Sequence, residues 1–92
     1  MKSYESLQKR RQKLREEILE NLDFLMGSVS TKGPSRSGLN LTFKIDQVTR
    51  TRHIRRELEP QVKQMTLRCK RVRRAMHELS DLNWQLLCRG ML

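Results

Sequence analysis

Ninety-two residues suffice for one domain and fall short of two. With 36% hydrophobic and 4% aromatic residues, the chain lacks the material for a thick core around an enclosed substrate pocket, which argues against an enzyme and for an empty list of catalytic residues. Twenty lysines and arginines against ten acidic residues leave a net charge of +10, which points to a polyanionic partner, nucleic acid being the commonest.

The first segment reads as a helix over about residues 3–25, with Ser3 as N-cap and Gly27 as the stop. Tyr4, Leu7, Leu14, Ile18 and Leu25 recur at spacings of three and four, with Arg11 and Asn21 in the same stripe, which gives a coiled-coil-like seam. From residue 27 to 54 the period changes to two. Leu39, Leu41, Phe43 and Ile45 fall on one face of a strand. Asp46 and Gln47 form a two-residue turn that sets Ile45 opposite Val48 and Leu39 opposite Ile54, with Leu41 and Phe43 opposite Arg52 and Arg50. The other face gathers Asn40, Thr42, Lys44, Thr49, Thr51 and His53. A third strand fits Gly27 to Lys32, joined through the turn GPSRSG, because two strands alone are only marginally stable.

A longer helix follows over about residues 57–88, with Pro60 in its first turn and Gly90 just past its end. Val62, Met65, Cys69, Val72, Met76, Leu79, Asn83 and Leu86 occupy successive a and d positions of four heptads. The expected fold is a single α+β domain over 1–92, mostly α. It has an N-terminal helix, a small antiparallel sheet of two or three strands, and a coiled-coil-like C-terminal helix packed antiparallel on the first. With Leu25 near Pro60, that packing sets the basic run Lys9–Arg15 beside Arg68–Arg74 and leaves Leu79–Leu92 projecting beyond the first helix. Leu79, Leu82, Asn83, Trp84, Leu86 and Leu87 are then the candidate surface for a second copy or another protein. Asn83, and Asn21 in the first helix, are polar intrusions of the kind that fix register or oligomeric state.

No apolar run approaches the ~20 residues of a membrane-spanning helix, and MKSYESLQKRR has no signal-peptide stretch, so the expected location is the cytoplasm, without a membrane partner. Cys69 and Cys88 lie too far apart on one helix to bond to each other, and both are expected reduced. His53 and His77 stand singly, so neither a metal nor a cofactor is expected, and Cys69 reads as a small core residue. Charge is distributed in blocks of +5 over residues 1–15, −4 over 16–31, +10 over 32–74 and −1 over 75–92.

The stretch VTRTRHIRRELEPQVKQMTLRCKRVRRAMHELSDLNWQLL, with SLQKRRQKLREEI and the GSVS that follows, resembles a family of small uncharacterised prokaryotic proteins often encoded near mobile-element genes. The family runs helix, GS-L strand, Cys-rich loop, a TRTR-type hairpin and a long ELE…ELSELN-like helix. Its motifs are structural. Where the family has the Cys-rich loop, this chain has TKGPSRSG, and Gln47 stands at the family's turn glycine.

These readings favour a non-enzymatic nucleic-acid-binding protein, DNA before RNA, serving as an accessory or regulatory factor of a mobile element and dimerising through the long helix. Its candidate contacts are Lys9, Arg10 and Arg11 on the first helix, and Lys44, Arg50, Arg52 and His53 on the hairpin with Arg55 and Arg56 after it. Arg68, Lys70, Arg71, Arg73 and Arg74 add five on the long helix. The alternative is an adaptor subunit that docks its C-terminal helix on a larger complex containing RNA or DNA. A basic helix lying on an anionic membrane ranks last, because the apolar stripe of the long helix is already committed to a heptad seam.

Overall fold

A computed structural model describes residues 3–31, 33 and 37–92. The order is helix α1 (Tyr4–Glu20), strands β1 (Ser28–Thr31), β2 (Leu39–Ile45) and β3 (Val48–Ile54), a 3-10 turn (Arg56–Leu58) and helix α2 (Glu59–Cys88). The α+β expectation holds, with all three strands in one antiparallel sheet ordered β1-β2-β3. The turn expected at residues 33–38 includes residues outside those described. Two compact units form, one comprising Met1–Leu22 and Lys70–Leu92, the other Asp23–Cys69.

In the first unit α1 begins where Ser3 accepts a hydrogen bond from the Ser6 amide at 3.2 Å. It stops at Glu20, five residues before the expected Leu25. The Asn21 side chain donates to the Glu17 carbonyl at 2.7 Å and its amide to Ile18 at 3.1 Å, with the backbone turned out of the helix at φ −120°. The short amide side chain competes for the carbonyls that the next turn would need, and thereby ends the helix. Leu7 and Leu14 of α1 are sealed against Ala75, Leu82 and Leu86 of α2, with Ile18 and Leu79 packed alongside.

The seam of α2 drifts from the strict heptad. Ala75 and Leu82 are buried where Met76 and Asn83 were expected, and Met76 is 57% exposed. The buried line runs through Val72, Ala75, Leu79, Leu82 and Leu86 at spacings of three and four, which sets one side of a helix against Leu7 and Leu14. At its end, α2 closes with Gly90 at φ +69°, the Met91 amide donating to Leu86 at 2.9 Å and the Gly90 amide to Leu87 at 3.0 Å. This paired arrangement satisfies carbonyls that a helix end leaves unpaired.

The second unit is built on the sheet. Register follows the expected pairs, from Leu39 opposite Ile54 to Ile45 opposite Val48, and the turn takes positive φ at both Asp46 (50°) and Gln47 (70°). That is the type I′ geometry whose twist suits a hairpin, adopted here without glycine. One face of the sheet carries Leu41 and Ile54, which pack with Val62 of α2, and with Leu25, Val29, Leu39 and Phe43 around them. Leu25 therefore belongs to this core rather than to a helical seam, and its amide donates to the Met65 carbonyl at 3.1 Å. Gly27, expected as a helix stop, instead opens β1 at φ +132°, where a Cβ would lie 2.6 Å from the Thr42 carbonyl oxygen. Only glycine permits β1 to approach β2 there.

Candidate nucleic-acid interface

Alternation along the strands sorts the side chains of the second unit into two faces. Arg50 and Arg52 lie on the packed face, beyond the apolar core, paired with Phe43 and Leu41. The Arg52 guanidinium sits 4.8 Å from the centre of the Phe43 ring, a cation–π contact that holds it over the sheet's distal end. Lys44 and His53 point to the opposite side. The four hairpin residues expected to contact nucleic acid are thus divided between two faces, and one flat ligand surface cannot meet them all.

The open face is composed in rows across the strands. Ser28, Thr42 and Thr51 form one row, Ser30, Asn40 and His53 the next, and Lys44 with Thr49 a third. Asn40 and Thr42 are half-buried and the other six are exposed. Every side chain of the three rows is polar, and none is acidic. The polar face was legible as period-two alternation, but β1 residues Ser28 and Ser30 entered it only through pairing with β2. Past β3, Arg55 and Arg56 are exposed at the entry to α2.

Arg68, also in this unit, is half-buried and donates to Asp23 Oδ2 at 2.8 Å and, at 3.4 Å, to the Asp23 carbonyl. Its charge is therefore partly committed inside the fold. In the first unit Arg10 pairs with Glu78. The expected alignment would have set Arg10 near Ala75, so the true register is displaced by about one turn, and a carboxylate rather than a second cation meets the basic run of α1. Arg11 is half-buried and lines a shallow groove with Gln8, Gln12, Arg15 and Leu79. Lys9, Lys70, Arg71, Arg73 and Arg74 are exposed. Lys70, Arg74 and His77 follow at spacings of four and three, which aligns them on the side of α2 turned away from buried Val72 and Ala75.

The same displacement removes the expected overhang. Leu82 and Leu86 are buried against α1 at 5% and 0% exposure, so neither is available to a partner, whereas Trp84 (64%) and Leu87 (54%) are open. Met76, Trp84 and Leu87 follow at helical spacings along one side of α2 and form an exposed apolar line there. Asn83 is half-buried, and its Oδ1 is sealed from solvent without a hydrogen-bond partner. Among the described residues no group of three or more His, Cys, Asp or Glu could hold a metal ion, and no helix is long and apolar enough to cross a membrane. Compared with known proteins, the chain matches no family model, no curated protein and no solved structure.

Proposed function

We propose that this protein binds nucleic acid, duplex DNA before RNA, as a non-enzymatic accessory or regulatory factor. One observation carries the reading: a net charge of +10 whose basic side chains stand largely exposed on both units, as with Lys44, Arg50, Arg55 and Arg56 in one and Lys70, Arg71 and Arg74 in the other. Such a surface gains affinity by displacing counterions from phosphates, independently of sequence. The resemblance to proteins encoded near mobile-element genes supports a role beside a recombining or transposing enzyme. Salt titration of binding to duplex DNA tests the reading. Four phosphate contacts would lower affinity about 150-fold between 50 and 200 mM salt, and a flat response would refute it.

A second reading draws on Met76, Trp84 and Leu87, an exposed apolar line on the C-terminal half of α2. It makes the chain an adaptor that docks this side on a larger complex. Nuclease treatment before a pull-down separates the two, because the adaptor keeps its partner once nucleic acid is gone.

A further inference from the structure

We propose that the open face of the three-stranded sheet is a base-reading surface that enters the major groove of duplex DNA, with Asn40 at its centre. The inference rests on the nucleic-acid reading and deepens it. It assigns sequence recognition to hydroxyl and amide side chains rather than to the hairpin arginines, which lie on the other side of the sheet.

The composition of the face is the first argument. The three rows hold Lys44 as their one Lys or Arg and no carboxylate, so nothing on the face repels the phosphates that flank a groove. Serine, threonine and asparagine side chains both donate and accept, as the mixed donors and acceptors of base edges require, and an asparagine matches adenine N6 and N7 with two hydrogen bonds. Asn40 occupies the middle strand, flanked by Ser30 on one side and His53 on the other.

Shape and charge supply the second argument. Strands about 4.8 Å apart make the sheet about 10 Å wide between its outer strands, within a groove about 12 Å wide. β1 pairs only with Leu39–Thr42, so the rows through Asn40 and Thr42 are three strands wide and the row of Lys44 and Thr49 is two strands wide, which narrows the polar face toward the turn. Residues 27–56 contain seven basic side chains and one acidic one, Asp46 in the turn. Arg55 and Arg56 are exposed just past the end of β3, where they suit the phosphates that border a groove.

The test begins with selection from a pool of randomised duplex DNA, followed by fluorescence anisotropy on the enriched duplex and on a scrambled duplex of equal length. The directly paired Thr42 and Thr51 are replaced together by Val (Thr42→Val, Thr51→Val), which keeps shape, charge and strand preference while removing two hydroxyls. The expected result is about a tenfold loss on the enriched duplex with scrambled-duplex affinity unchanged, and Asn40→Ala should relax a preference for adenine at one position. Equal losses on both duplexes, or a pool without an enriched sequence, would overturn the assignment while leaving non-specific binding intact. Failure to bind any duplex at 50 mM salt would instead remove the nucleic-acid reading beneath it. An arm that leaves the protein untouched uses 7-deaza-adenine in the enriched duplex, which deletes the N7 acceptor in the major groove. Weakened binding supports the proposal and unchanged binding refutes it.

Discussion

Replacing Gly27 by Ala tests the close approach on which the sheet depends. The residue has φ +132°, and an added Cβ would sit 2.6 Å from the Thr42 carbonyl oxygen and 3.1 Å from Leu41 Cδ1. Two costs combine. Holding an alanine in a region of backbone space reserved for glycine costs about 1–3 kcal/mol, and pushing β1 off a neighbouring backbone atom adds about 1–3 kcal/mol, as overpacking does. A total of about 4 kcal/mol is a large part of the roughly 5–14 kcal/mol expected for a chain of this length. At about 4–8 °C per kcal/mol for a small domain, the melting temperature should fall by about 16–32 °C. Gly33→Ala separates the two terms, because Gly33 also has a positive φ, +121°, but nothing within 4 Å of its Cβ position. Thermal unfolding followed by far-ultraviolet circular dichroism gives the comparison. If the two variants melt within about 2 °C of each other, the steric part of the reasoning is wrong and β1 does not press on β2 at this point.

Three further outcomes can be checked in the same material. Leu86→Ala removes a side chain with no exposed surface from the α1–α2 core and should cost about 3–5 kcal/mol in urea unfolding, whereas Leu87→Ala, at 54% exposure, should cost under about 1 kcal/mol. Asn83→Leu removes the sealed, unpartnered Oδ1 and should raise stability by about 1 kcal/mol; a loss would mean that the amide is satisfied in solution. Arg71→Ala with Arg74→Ala should weaken DNA binding equally for all sequences and reduce the salt slope by about two, and a sequence-dependent loss would move base reading to the helix.

The element order, the hairpin with its register and the Ser3 and Gly90 helix ends were all legible in the sequence. Each rests on interactions a few residues apart: period-two alternation from Leu39 to Ile45, a two-residue turn, a hydroxyl three residues from the amide it caps. Period-two alternation also sorted Arg50 and Arg52 from Lys44 and His53, because strand geometry alone sends neighbours to opposite faces.

What the sequence left open depends on contacts between distant segments. A heptad count placed Met76 and Asn83 in the α2 seam, but packing against Leu7 and Leu14 selects Ala75 and Leu82, a choice made by the side chains of the other helix rather than by the spacing within α2. The same contact buries Leu82 and Leu86 and leaves Trp84 and Leu87 exposed, which relocates the apolar surface available to a partner. The pairing of Arg10 with Glu78 followed from a displacement of about one turn between α1 and α2, and that of Arg68 with Asp23 from the early end of α1 at Glu20, neither of which the sequence reading anticipated. Sequence therefore determined the elements and the polarity of each face. Tertiary packing decided which faces are covered, and hence which basic, polar and apolar side chains remain to meet another molecule.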